Sequence, residues 1–282
     1  MTKLTSFRGF FMVAIFVVCF ATTVNAAPQS TTPSAAQTIT DSSPSLLLAH
    51  ILVGTLQDFY GVPITFEDTR HVNDAELDKS KPHSFLAERI SITYSVTTPP
   101  EDADLPTRKA MAGEVVRDVV RKYNAARGTE IYQVTETDNG FHVVGRRFLD
   151  TSGKMEDFQP LLDTPITIEP GERTVSDVLD EMTNQINSAH GPVHSFTISF
   201  RSLGGRPKFL YQKTSLSATN EPARSVFDRL FSGVQITALK DYPGKTSSYQ
   251  VPASLSWELN SGFSKDIGGM MHVYVVKPPG AH

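Results

Sequence analysis

The sequence predicts an α+β fold of two tandem related domains, each with two helices packed on small mixed sheets in the order strand-helix-strand-strand-helix-strand-strand. Three observations predict it. Apolar residues recur at helical spacing in four separate stretches. Short runs rich in β-branched and aromatic residues lie between those stretches. The order of helices and strands in the first half is then repeated in the second.

The first helix starts at Ser43-Pro44, an N-cap with proline at the first helical position, turns Leu48, Ile51, Leu52 and Phe59 inward, and stops at Gly61. The second, from about Thr107 to Arg127, spaces Met111, Val115, Val119 and Tyr123 by four, widens the stripe with Val116 and Val120, and ends at Gly128. The third runs from the cap Thr174, with Asp177 three residues on, through Val175, Val178, Leu179, Met182 and Ile186 to Gly191. The fourth starts near Asn220 with Pro222 and carries Ala223, Val226, Phe227, Leu230 and Phe231 on one face before Gly233.

Strands are expected at residues 62–67, 90–97, 131–137, 141–148, 166–169, 195–200, 254–259 and 271–276. Asp138-Asn139-Gly140 joins two of them, and Asn-Gly favours a tight hairpin because both positions tolerate positive φ. Both halves end in an apolar run, Phe141-His142-Val143-Val144 and Met271-His272-Val273-Tyr274-Val275-Val276. The helix starts are unequally spaced, 44 to 174 and 107 to 222, so a duplication would require loop insertions or deletions.

Residues 1–26 read as an export signal: Lys3 and Arg8, an apolar core from Phe10 to Phe20, then Val24-Asn25-Ala26 as a small-residue cleavage site. The core is shorter than the roughly 20 residues of a membrane span. Residues 27–43, rich in Ser, Thr, Ala, Gln and Pro, read as a disordered tether. The expected division is then a first domain over 44–148, a linker over 149–160 and a second domain over 161–282. Cys19 is the one cysteine and lies in the signal, which excludes disulfides, thiol nucleophiles and cysteine-based metal sites from the processed chain. Without residues 1–26 the chain has 24 basic and 30 acidic residues, so its net charge moves from −4 to −6. Such an acidic chain with no basic stripe argues against nucleic acid as a partner. Periplasmic or secreted location follows from the signal.

Thr164-Pro165-Ile166-Thr167-Ile168, the helix containing Val178-Leu179, the run from Ala223 to Gly233, and Leu255-Ser256-Trp257-Glu258-Leu259 with the final strand carry a resemblance. Their order resembles the short N-terminal domain of secretins and TonB-dependent receptors, and the stretch from Leu46 to Arg147 is similar. The resemblance implies a periplasmic protein-contact module without catalytic residues or cofactors. It leaves the partner open, because no ring-forming or barrel region of that family occurs between residues 44 and 282. The two-part layout also resembles exported bacterial proteins of unknown function.

The densest polar cluster is Glu67-Asp68-Thr69-Arg70-His71 with Asp74 and Glu76. Its carboxylates and imidazole supply the donor types of a divalent cation or acid/base site, with Glu67, Asp68, His71 and Asp74 as the ligand set. The spacing matches no named ligand motif, and polar residues are expected in a loop after a strand. Arg201 and Gly204-Gly205-Arg206-Pro207-Lys208 offer amides and cations to an anion, but they lead into Phe209-Leu210-Tyr211, a strand-like run, and not into a helix. His190 sits in the last turn of the third helix, where a cation suits the dipole. His142 and His272 occupy comparable strands and would titrate together if they met across a twofold axis. His142, Arg146, Arg147, Arg206 and His272 are therefore the candidate interaction residues. No Gly-x-Ser-x-Gly elbow, His-Glu-x-x-His pair or Walker loop occurs. The expectation is a non-catalytic envelope adaptor of undefined oligomeric state. The alternatives are a metal-dependent hydrolase using the Glu67–Glu76 loop, or a small-ligand carrier with its site between the domains.

Overall fold

The computed structural model describes residues 36–43, 47–69, 90–150, 152, 154–191, 196–200, 207–241, 248–261 and 269–279. In chain order they form β1 (Ala36–Ser43), α1 (residues 47–60), β2 (Ile64–Glu67), β3 (Ile90–Thr97), α2 (Leu105–Ala126), β4 (Tyr132–Glu136) and β5 (Phe141–Gly145). A hairpin of β6 (Arg147–Leu149) and β7 (Met155–Asp157) follows. Then come β8 (Pro165–Ile168), β9 (Arg173–Thr174), α3 (Val175–His190), β10 (Thr197–Phe200), β11 (Lys213–Thr214), β12 (Ala218–Pro222), α4 (Ala223–Ser232), β13 (Ile236–Asp241), β14 (Ser248–Ser261) and β15 (Gly269–Val276).

Local chemistry sets the helix ends. Asp104 accepts the Thr107 N–H at 2.9 Å and starts α2. Thr174 and Asp177 form a capping box at α3. The middle of α1, His50–Leu56, is wound as a π-helix, and the helix stops at Gly61, whose φ of 58° is left-handed. There Arg108 Nη1 donates to the Tyr60 and Gly61 carbonyls at 2.9 and 2.8 Å, satisfying oxygens that the helix end leaves unpaired.

A seven-stranded mixed sheet has the order β10-β15-β14-β2-β5-β4, with β13 paired to β14. Alternation along the strands sends Ile64, Phe66, Phe141 and Val143 to one face, into the core formed with α1 and α2. Leu255, Trp257, Leu259, Met271 and Val273 go to the other face, into the core formed with α3 and α4. Each core is capped on its far side by a two-stranded ribbon: β1 with β3, and β8 with β12.

Two pairings repeat residue for residue. In β2 and β5, Ile64-Thr65-Phe66 lies parallel to and opposite Phe141-His142-Val143. In β10 and β15, Ile198-Ser199-Phe200 lies parallel to and opposite Met271-His272-Val273. The antiparallel neighbours, β4 of β5 and β14 of β15, place Val134-Thr135-Glu136 and Trp257-Glu258-Leu259 at the corresponding positions.

Several expectations change. The described residues form one compact unit, because the sheet runs without interruption through both parts by way of the parallel pair β2–β14. The expected tether contains β1, ordered by eight pairs to β3 that include the Thr40–Thr93 hydroxyl hydrogen bond at 3.0 Å. The expected linker at 149–160 contains β7 and its turn from β6. Phe209-Leu210-Tyr211 lies in a 3₁₀ turn, with Phe209 and Leu210 buried. The stretch before α4 is strand β12, with Asn220 at φ 52° in an irregular register against β8.

Candidate functional site

His142 lies in a cleft of about 670 Å³ between the β4–β5 turn, α4 and β14, together with Thr65, Asp228, Arg229 and Trp257. Thr65 on β2 stands directly opposite His142 on β5, so strand register alone brings the Thr65 hydroxyl to Nδ1 of the imidazole. Asp228 Oδ2, on the face of α4 turned to the sheet, meets Nε2. The Trp257 ring centroid lies 5.6 Å from that of the imidazole. The order hydroxyl–imidazole–carboxylate looks like a hydrolytic triad, but the Thr65 hydroxyl also lies 3.3 Å from the Phe141 carbonyl and the residue is buried. Both imidazole nitrogens are engaged within the protein, so His142 ties β5 to β2 and to α4.

A second polar array lies on the same sheet face. The Glu67 carboxylate is fully buried and accepts from Arg224 Nε at 3.1 Å, from Arg224 Nη2 and from the Leu162 N–H at 3.0 Å. Arg224 Nη1 continues to Asp163, whose other oxygen accepts from Arg146 Nη1. Burial pushes the Glu67 carboxyl up, and Arg224 and the Leu162 amide pull it back only in part. Burial would lower the Arg224 guanidinium, but Glu67 and Asp163 outweigh it and raise it. The chain Glu67–Arg224–Asp163–Arg146 thus fastens β2 and the end of β5 to the 3₁₀ turn Leu161–Asp163 and the start of α4.

The opposite sheet face carries Asp68, Tyr132, Glu258 and Tyr274. The Tyr132 hydroxyl and the Thr69 N–H both donate to Asp68 Oδ1. Tyr274 donates to Glu258 at 2.7 Å. Burial pushes the Asp68 carboxyl up to about 6, despite those two donors.

Of the proposed cation ligands, Glu67 and Asp68 are therefore held apart. Glu67 is committed to Arg224 and Asp68 to Tyr132 on opposite sides of the sheet, while His71 and Asp74 lie outside the described residues, as does Arg206. Among the described residues no group of three His, Cys, Asp or Glu is arranged to hold a metal ion. His142 and His272 do not meet: β2 and β14 lie between their strands, and the two residues point to opposite faces. His272 lies opposite both Ser199 and Glu258. Arg147 makes a long, exposed pair with Asp157 at 3.5 Å. His190 reaches the Thr164 hydroxyl at 2.7 Å.

Sequence reasoning missed Arg224, Asp228 and Asp163. Arg224 had a signal: it lies three residues before Phe227 and seven before Phe231, on the apolar stripe of α4, and in a first turn where the helix dipole disfavours a cation. An arginine in that position needs carboxylates facing it. Comparison with family models, with curated proteins and with solved structures finds no match to this chain.

Proposed function

We propose that the chain is an exported, non-catalytic interaction module of the bacterial envelope, built by duplication of a unit like the short N-terminal domain of secretins and TonB-dependent receptors. The observation that carries this reading is the parallel β2–β14 pair, where one set of strands adds its edge to another. The unit already binds by edge addition within the chain, and strand addition is a general mode of protein recognition. Support for duplication comes from the repeated registers, Ile-Thr-Phe against Phe-His-Val and Ile-Ser-Phe against Met-His-Val. Support for a role without catalysis comes from the Glu67–Arg224 array, whose polar groups are directed at one another.

In-cell photocrosslinking from positions 134 and 198 tests the reading. A defined envelope protein captured from these positions, and not from the exposed α2 position 121, is the expected result. Capture that does not depend on position refutes edge recognition.

The cleft favours a second reading, a small-ligand carrier, because His142, Asp228 and Arg229 give one wall polar groups and Trp257 gives it an aromatic face.

A further inference from the structure

The ends of the seven-stranded sheet bear on what the chain pairs with. Among the described residues, and with β13 branching from β14, β4 and β10 end the main strand path. The repeated registers make them counterparts of the two strands that meet inside the chain: β4 corresponds to β14, and β10 to β2. Direction is consistent with that correspondence. From β4 to β10 the neighbours are antiparallel, parallel, parallel, antiparallel and parallel. Two reversals cancel, so β4 and β10 run the same way. A second copy related by translation would then lay its β4 parallel to β10, just as β14 lies parallel to β2. Had the outer strands run in opposite directions, a translated copy would meet antiparallel, and the internal join would be no guide.

The backbone groups are also placed for it. The Phe141 N–H donates to the Pro63 carbonyl at 3.0 Å, so Phe141 and Val143 turn their peptide groups to β2, and His142 and Val144 turn theirs to β4. On β4 that directs Gln133 and Thr135 inward and leaves Val134 and Glu136 facing outward. Tyr132, also outward, is already satisfied by Asn124, which takes its N–H at 3.1 Å and donates to its carbonyl at 2.8 Å. At the internal join the Asp68 N–H donates to the Leu259 carbonyl at 3.1 Å, and Leu259 is the counterpart of Glu136. By the same register Ile198 and Phe200 of β10 correspond to Ile64 and Phe66 and turn outward.

We infer that this chain assembles head to tail with further copies of itself, β4 of one copy pairing in parallel with β10 of the next. Such a contact joins two different surfaces and does not close on itself at two copies, so it builds open chains of copies. The inference rests on the edge-recognition reading above and makes the partner a second copy of the chain.

Sedimentation equilibrium of the purified processed chain, without residues 1–26, measured across a concentration series, tests it with two variants. Val134→Pro removes an outward N–H from β4, and Ile198→Pro removes one from β10; proline is tolerated at edge positions whose N–H faces away from the ladder. The wild-type average mass should rise past two chains without a plateau. Each variant alone should associate at least about tenfold more weakly, given the loss of a ladder hydrogen bond and the clash of the ring. An equimolar mixture should give a two-chain complex that grows no further, because each variant keeps the edge the other lacks. A wild type that stays single-chain, or that stops at two chains, overturns the inference whatever the variants do. So does a mixture that stays single-chain when both variants keep the wild-type circular dichroism. If the wild type stays single-chain while positions 134 and 198 still crosslink a different envelope protein, self-assembly fails and edge recognition stands.

Discussion

Replacing Arg224 by methionine leaves the Glu67 carboxylate buried without its counter-charge. Removing one member of a buried ion pair costs about 3–5 kcal/mol. The lower end applies here, about 3 kcal/mol, because Asp163 retains Arg146 and Glu67 retains the Leu162 N–H, so only one charge is orphaned. With a urea dependence of about 3 kcal/mol/M, the unfolding midpoint should fall by about 1 M at pH 7.5. Acid should shrink the loss. The folded-state pKa of Glu67 already lies above its ordinary value of 4.5, and losing Arg224 raises it further. A carboxyl with a raised folded-state pKa contributes full stability below its unfolded value and loses it as pH rises through the folded one. The variant should therefore lie closest to wild type near pH 4.5 and fall away toward pH 8. Adding Glu67→Gln should recover most of the loss, since the amide oxygen still accepts the Leu162 N–H and nothing charged remains unpaired. Urea titrations at pH 4.5 and 7.5 measure all three chains. A loss equal at both pH values, or a double variant no better than Arg224→Met, would refute the argument.

Asp68→Asn keeps an acceptor for Tyr132 and the Thr69 N–H but removes a charge whose folded-state pKa is about 6 against an ordinary 3.8. The wild type should lose stability as pH rises from about 4 through 6, by about 1–3 kcal/mol after allowance for partial exposure, and the variant should not; thermal melts across that range report the difference. Gly140→Ala should destabilise by on the order of 3 kcal/mol, because a Cβ would sit 1.9 Å from the Pro63 carbonyl oxygen, between strands where neither backbone can yield. A variant melting within two degrees of wild type would show that the β2–β5 contact is looser than the structure has it.

The Gly140 position shows where sequence and structure part. The Asn-Gly pair correctly marked a turn, but neither residue has positive φ; the glycine is there because β5 passes against Pro63, a neighbour 77 residues away in sequence. The helices were legible because their signals are local: the apolar stripe of α2, the capping box of α3 and the five apolar residues of α4 need no knowledge of the fold. β1 was not legible, since Ala36-Gln37-Thr38-Ile39 carries little apolar content and its order comes from pairing with the alternating Ile90, Ile92, Tyr94 and Val96 of β3. The polar arrays were hidden for the same reason. His142 could be placed on a strand and set beside Met271–Val276, but Asp228 and Trp257 reach it only through tertiary folding. Glu67 looked like a loop ligand because its partner Arg224 lies 157 residues on.

The β2–β14 pair also governs when the molecule can finish folding. On the side away from β5, residue 67 finds its strand partner only at residue 259, and contacts of such wide sequence separation slow folding because loop closure must be paid for first. While the chain emerges from its N-terminus, the Glu67 carboxylate must wait 157 residues for Arg224, and one side of β2 stays uncovered for about 190 residues until β14 arrives. An early intermediate would thus be adhesive at the place that later becomes the middle of the sheet, and a holding chaperone would find its grip there until the last strands arrive.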